Sequence, residues 1–104
     1  MDRMIEILKT EMAKYAVPGF NLVSHMMEDS AQQLYTVVTT VIEPNERYSF
    51  TSLYVRVVGD KIVIEHDANS DPLYEALMQA GIPREQIIVA YAGEPVPDVV
   101  ESNG

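Results

Sequence analysis

The chain has 104 residues, 47% of them hydrophobic, which suits a single domain with a real core and argues against disorder over the whole length. Its 7 Lys and Arg against 16 Asp and Glu give a formal net charge of -9. This balance disfavours strong, direct nucleic-acid binding, because phosphate contacts need clustered basic side chains. The lack of cysteine excludes disulfides, thiol nucleophiles and thiolate metal sites.

The N-terminal segment predicts a helix over residues 2–16. Asp2 is placed to cap it, and Pro18-Gly19 ends it. One apolar face recurs at helical spacing and consists of Ile5, Leu8, Met12 and Tyr15. The charges of the first residues come too early for a signal peptide, and no run approaches the roughly 18 apolar residues of a membrane helix. We therefore expect a soluble, cytoplasmic protein that does not enter a membrane.

Four segments then have the composition of β-strands: residues 20–28, 33–42, 47–58 and 61–66. They are rich in β-branched and aromatic side chains. Gly59-Asp60 fits a two-residue hairpin loop between the last two strands, because glycine takes positive φ without a steric cost. Pro44 and Asn45 mark the preceding turn. The four strands therefore indicate an antiparallel arrangement.

A second helix and a fifth strand are predicted next. Asp71 can cap the helix, and Pro72 suits its first position, where no amide proton is needed. The short apolar stripe consists of Leu73, Ala76, Leu77 and Ala80. Gly81 fits the left-handed position after the last turn. Residues 87–91 form a continuous apolar run that is too short for a helix and suits a buried strand.

The resulting order, α-β-β-β-β-α-β, indicates a single α+β domain whose mostly antiparallel sheet packs against both helices. The second helix is a crossover, so the last strand can lie parallel to the fourth, while other placements stay open. We assign the domain to residues 1–92. Residues 93–104 lack periodicity and contain two prolines, so we expect a loose C-terminal tail. Sheet edges need cover, which favours a homodimer.

No arrangement of residues specifies a reaction. His25 and His66 lie in different strands without metal-ligand spacing, so we expect both on strand ends or solvated faces. Glu65 and Asp67 fall on one side of an extended strand, where a surface pair is more common than a catalytic dyad. The sequence has neither a nucleophile elbow nor a phosphate-cradling glycine loop. We predict no catalytic, cofactor-binding or metal-binding residue.

Three aromatic residues, Tyr48, Phe50 and Tyr54, are predicted to share one face of a strand. Aromatic side chains on a sheet can stack single-stranded bases when basic residues surround them. Because few basic residues are near, we favour core packing or a protein interface. An exposed Met27 or Tyr54 would indicate a dimer or partner surface.

The second half of the chain resembles a known family. The segments are Gly59-Asp60-Lys61-Ile62-Val63-Ile64, the short capped helix, and Ala80-Gly81-Ile82-Pro83-Arg84-Glu85-Gln86-Ile87-Ile88-Val89-Ala90-Tyr91. They resemble the XisI-like proteins, also called fdxN-element excision controlling factors, and the likeness extends over about residues 1–91. There are three departures: Val63 stands where the family has Trp, residues 92–97 replace its usual His-Pro-Pro segment, and an aromatic-Trp segment between the second and third strands is missing. The chain therefore resembles a divergent member.

The resemblance implies a mainly cyanobacterial protein required in the programmed excision of a DNA element. Such proteins are often encoded beside XisH-like proteins, which look nuclease-related. No catalytic residue is carried over. We therefore expect a non-enzymatic accessory factor that acts through contacts with an XisH-like partner. The alternatives are a small-ligand-binding domain or enzyme with a pocket between sheet and helices, and direct DNA binding, which the charge disfavours.

Overall fold

The chain folds in the predicted order of elements. A computed structural model describes residues 3–97, so the predicted cap Asp2 and residues 98–104 of the predicted tail lie outside the described residues. The elements are α1 (Arg3–Ala13), β1 (Leu22–Asp29), β2 (Leu34–Glu43), β3 (Glu46–Val58), β4 (Lys61–Asp67), α2 (Leu73–Gln79) and β5 (Ile87–Val89). Single 3₁₀ turns at Arg84–Gln86 and Ala90–Ala92 flank β5. The α+β class is confirmed.

The five strands form one sheet in sequence order, β1-β2-β3-β4-β5. The first four strands are antiparallel neighbours, whereas β5 runs parallel to β4. Helix α2 supplies the crossover that a parallel connection requires. Gly59 in the hairpin loop and Gly81 after α2 have φ values of 63° and 106°, which are the left-handed conformations predicted for them. The placement of β5 that the sequence left open is therefore beside β4.

Both helices pack on the same face of the sheet. Leu8 and Met12 of α1, and Leu73 and Leu77 of α2, are fully buried, so the predicted apolar stripes are confirmed. They join one core with Tyr35, Val37, Leu53, Val55, Val57, Ile62, Ile64, Ile82, Ile87 and Val89. Burying an aliphatic side chain of this size stabilises the fold by about 1.5–3 kcal/mol. We call the covered side of the sheet the helix side and the other the outer side.

A β-bulge interrupts the pairing of β2 with β3. Val37 lies opposite Leu53, whereas Val38 lies opposite Thr51, so Ser52 is an extra residue in β3. Side chains alternate along a strand with a period of two. The extra residue therefore reverses which face each side chain takes on the two sides of the bulge.

The bulge separates the three aromatic residues of β3. Tyr48 and Phe50 lie opposite Val41 and Thr39, whose side chains are buried on the helix side. Tyr54 lies beyond the bulge and takes the outer side, as directly opposed residues of an antiparallel pair share a face. The prediction that the three aromatics share one face is wrong, because it assumed an uninterrupted period of two.

Glu65 is the extra residue of a second bulge, where the register between β3 and β4 shifts. Its Oε2 accepts a hydrogen bond from Arg56 Nε at 2.9 Å. Asp67 Oδ2 instead accepts a hydrogen bond from the Leu73 amide at 2.8 Å. The two carboxylates serve different partners, so the predicted surface pair is wrong, again because a bulge breaks the strand period.

Helix α2 begins differently from the prediction. Pro72 is its N-cap residue rather than its first helical residue, and Pro72 makes no side-chain capping bond. Asp67 supplies the acceptor that Asp71 was predicted to provide. The backbone carbonyl of Asp71 accepts a hydrogen bond from the Tyr15 hydroxyl at 2.9 Å. This bond ties the end of α1 to the start of α2.

Candidate interaction surface

The two histidines lie apart on the sheet. His25 on β1 is opposite Val38, and His66 on β4 is opposite Tyr54. Both side chains are exposed, which confirms the predicted solvated positions. Two strands separate β1 from β4, so the fold does not bring the histidines together. Within residues 3–97 no group of three or more His, Asp or Glu side chains could hold a metal ion.

The helices leave one end of the helix side uncovered. Tyr48 and Phe50 lie there as residues that are 48% and 42% exposed, although they share the face that carries the core. Leu22, Val41 and Tyr48 form a row across β1, β2 and β3. Apolar residues at this end, four of them exposed and Leu22 half-buried, define what we call the open-end surface: Val17, Phe20, Leu22, Tyr48 and Phe50.

A glycine holds the segment after α1 close to this surface. The Gly19 amide donates a hydrogen bond to the Leu22 carbonyl at 2.9 Å. A side chain at Gly19 would place its Cβ 3.0 Å from Leu22 Cδ1, closer than carbon atoms normally approach. Phe20 is fully exposed beside this turn. The sequence prediction had placed Phe20 inside a strand, whereas β1 begins two residues later.

A groove of about 350 Å³ runs between this segment, the sheet and the loop before α2. Val17, Leu22 and Phe50 form apolar parts of its lining, and Asn69 lies on the opposite wall. A neighbouring hollow of about 530 Å³ is lined by Phe20 and by the ends of β1 and β2. Together they give the open-end surface a concave centre with aromatic side chains on its rim.

The floor of the groove is a chain of buried hydroxyl groups. The Oγ of Ser24 lies 2.8 Å from Thr39 Oγ1, which lies 2.9 Å from Ser52 Oγ. Ser52 in turn donates to the carbonyl of Val37 at 3.1 Å, where the bulge shifts the ladder. These hydroxyls therefore satisfy one another. Among the described residues that line the groove, Tyr15 is the one with an ionisable side chain.

The surroundings of Tyr15 keep its phenol group protonated and hydrogen-bonded. Burial, followed by the nearby carboxylates of Asp67 and Asp71, raises the pKa of Tyr15 to about 12. The phenol therefore stays neutral near pH 7 and keeps donating its hydrogen bond to the Asp71 carbonyl. Neither histidine lines the groove. The groove therefore has apolar walls above a polar floor whose hydroxyl groups bond to one another.

Most of the positive charge is locally neutralised. Within the described part of the chain, four of the seven basic side chains form ion pairs: Lys9–Glu28, Lys14–Glu11, Arg56–Glu65 and Arg84–Glu94. A phosphate backbone is bound by basic groups that release counterions when they meet it. In the described part of the chain, these four basic side chains already face carboxylates.

The fold and this surface define a class of protein: a two-layer α+β domain whose two helices pack on one face of the sheet and leave an exposed apolar end. The chain belongs to the XisI family, because the family model described as XisI protein matches residues 1–101. The resemblance inferred from the sequence is thus confirmed. Among residues 3–97, no helix has the length and apolar character needed to cross a bilayer.

Two solved structures share the fold. A XisI-like protein from Anabaena variabilis has a TM-score of 0.71 and 19% identity, with 82% of this chain and 81% of that chain covered. The fdxN element excision controlling factor XisI from Anabaena variabilis has a TM-score of 0.58 and 21% identity, with 97% and 92% covered. Comparison with curated proteins gives no match. At these identities the two structures support the fold of this chain.

Proposed function

We propose that this protein is a non-enzymatic accessory factor that controls the excision of a DNA element through protein contacts. Membership of the XisI family and the likeness to an excision controlling factor support this role. The observation that carries it is the open-end surface, where Phe20, Tyr48 and Phe50 expose aromatic area around an apolar groove. Exposed aromatic clusters of this kind are typical of protein interfaces.

The groove supports docking better than catalysis. Its hydroxyl floor is internally bonded, and the ionisable side chain in its lining, Tyr15, already donates to Asp71. An enzyme site needs titratable groups that converge on one point with shifted pKa values. The open-end surface instead offers shape and apolar area, which are the properties that hold a partner protein.

The partner that we propose is an XisH-like, nuclease-related protein. With a net charge of -9, this chain favours a partner whose contact surface combines an apolar centre with a basic rim. Complementary charge speeds association, while buried aromatic side chains give most of the affinity. The factor would then reach DNA through its partner, in the cytoplasm, without a strong DNA site of its own.

Titration calorimetry of the purified protein against an XisH-like protein tests the proposal. Replacing both Tyr48 and Phe50 by Ser should weaken binding by about 30-fold or more, because interface hot spots contribute at least 2 kcal/mol. Met78→Ser is the matched control, as Met78 is 43% exposed on α2, close to the 42% of Phe50. No binding at about 100 µM of each protein would contradict the proposal.

A gel-shift assay separates this role from direct DNA binding. We expect no retention of duplex DNA below about 10 µM protein at low salt, since exposed basic clusters are what give such binding. Tight retention that disappears as salt rises would show that basic side chains of this protein bind DNA phosphates despite their ion pairs with carboxylates. That result would replace a protein-mediated role by a direct one.

A further inference from the structure

The two edges of the sheet differ in how their backbone groups are satisfied. The outer groups of β5 are bonded within the chain. Arg84 Nη1 donates to the Ile87 carbonyl at 2.6 Å, and the Val89 amide donates to Glu94 Oε1 at 2.9 Å. The Glu94 amide donates to the Val89 carbonyl at 3.3 Å. An exposed strand edge is a template for pairing, and this edge is closed by its own side chains.

The ladder between β1 and β2 shows which β1 groups face outward. The Ile42 amide donates to the Asn21 carbonyl at 2.7 Å, so the odd-numbered residues from Asn21 to Asp29 direct their peptide groups toward β2. Ser24, Met26 and Glu28 therefore direct theirs away from the sheet. In agreement, the outward carbonyl of Leu22 bonds to the Gly19 amide instead.

The outward groups of Ser24, Met26 and Glu28 have no backbone hydrogen-bond partner among residues 3–97. The protecting charges of this strand are confined to one end, at Glu28 and Asp29. The central residues of β1 include no Lys, no Pro and no bulge. Met27 is 57% exposed on the outer side of the same strand. This edge is therefore open and partly apolar.

We infer that β1 pairs antiparallel with β1 of a second copy of this chain. The three outward residues are evenly spaced around Met26. A two-fold axis through Met26 therefore lets the outward backbone groups of all three pair with those of the second copy. Ser24 then lies opposite Glu28 of the second copy, and Met26 lies opposite Met26. Each of these hydrogen-bonded pairs exchanges two N–H···O=C bonds. A single strand that satisfies itself in this way gives the self-complementary contact that a two-fold dimer needs.

The same register places the side chains favourably. Between the hydrogen-bonded pairs, His25 lies opposite Met27 of the second copy, and Asp29 lies opposite Val23. Two carboxylates directly opposite each other would destabilise the pairing, and this register brings no such pair together. The exposed Met27 packs against the imidazole ring of His25 of the second copy and is thereby shielded from water. The inference goes beyond the excision role, because it depends on the β1 edge and not on the open-end surface.

Analytical ultracentrifugation of the full chain over about 10–500 µM tests the pairing. We expect a monomer–dimer equilibrium. Glu28→Pro should weaken dimerisation by about tenfold or more, because the two-fold contact loses two hydrogen bonds, each contributing roughly 0.5–1.5 kcal/mol. Proline fits an edge strand where the lost amide faces outward, so the β1–β2 ladder is kept. A monomer across the whole concentration range would overturn the inference.

Glu28→Ala is the matched control, because it also removes the ion pair with Lys9 but keeps the amide. It should dimerise like the parent chain, and equal loss in both variants would overturn the assignment to the backbone edge. Thermal unfolding of the two variants checks that both stay folded.

A disulfide trap tests the register, since the chain has no native cysteine. Met26→Cys should cross-link copies on mild oxidation, because opposed Cα atoms of a hydrogen-bonded pair lie about 5.5 Å apart, within disulfide range. Asp60→Cys in the β3–β4 hairpin serves as the control and should stay uncross-linked. Equal cross-linking of the two variants would contradict the two-fold axis at Met26.

Discussion

The carboxylate of Asp67 accepts a hydrogen bond from the Leu73 amide at 2.8 Å and so caps α2 from the end of β4. Its other oxygen accepts bonds from the amide and side chain of Asn69, at 3.0 and 2.8 Å. One side chain therefore shapes the β4–α2 loop and satisfies a helix amide that has no partner within the helix.

Asp67→Ala should lower the free energy of unfolding by about 1–2 kcal/mol, the usual effect of removing an N-terminal cap. Chemical denaturation measures it. Asp71→Ala is the control and should change stability by less than about 0.5 kcal/mol, because the Asp71 backbone carbonyl, which the variant keeps, makes its bond to Tyr15. A larger effect at Asp71 would mean that the sequence prediction of the cap was correct.

Thr39→Val tests the hydroxyl floor of the groove. The Thr39 hydroxyl bridges Ser24 and Ser52 in a buried site, so its removal leaves a buried polar group without a partner. We expect a loss of about 1–3 kcal/mol in unfolding free energy. The adjacent Thr40 bonds Ser49 at 2.7 Å on the solvent-exposed side. Thr40→Val should therefore change stability by about 0.5 kcal/mol or less, and equal effects would contradict a buried network.

The raised pKa of Tyr15 predicts that the folded protein loses stability at alkaline pH. Burial and neighbouring carboxylates raise its pKa to about 12, above the ordinary value of 10.0, so folding favours the neutral phenol. Its contribution is complete below pH 10 and is lost as pH rises toward 12. Melting temperatures measured from pH 8 upward should fall more steeply for the parent chain than for Tyr15→Phe. Parallel curves would show that Tyr15 ionises at its ordinary pKa.

The lowered pKa of Glu94 predicts that the folded protein loses stability at acidic pH. The hydrogen bond from the Val89 amide, followed by that from Arg84, lowers its pKa below the ordinary 4.5. The charged form therefore stabilises the fold above that pH, and the contribution is lost as pH falls through the lowered pKa. Glu94→Gln should reduce the melting temperature at pH 7, with the difference shrinking in acid.

Glu85→Gln is the control for this titration, because Glu85 is exposed and its backbone carbonyl, which binds Lys61, is kept. A difference between Glu94→Gln and the parent chain that stays constant from pH 7 to pH 3 would exclude the charge of Glu94 as its cause.

Most of the fold follows from local patterns in the sequence. The stripe through Leu8 and Met12 predicted α1, and glycines at positions 59 and 81 marked turns that require positive φ. The strand bounds differ from the predicted ones by one or two residues at most ends. These features depend on neighbours in sequence, which is why they could be inferred without the structure.

The faces of the strands could not be inferred in the same way. The extra residue Ser52 carries no turn-forming signature, and its bulge depends on how β3 pairs with β2. The reversal it causes puts Phe50 on the helix side and Tyr54 on the outer side. The open-end surface was missed for this reason, and also because the helices' coverage of the sheet is a tertiary property. A Phe directly after Pro18-Gly19 was the one local signal of exposure.

Arg84 and Glu94 limit the addition of further strands at the β5 edge of this sheet. Head-to-tail addition of strands needs an unpaired edge at each side of every copy, and here the β5 side is blocked by the chain's own guanidinium and carboxylate. With β1 paired as we infer, both outer edges of the dimer are β5 edges, so edge-to-edge association ends at two copies instead of continuing into a fibril.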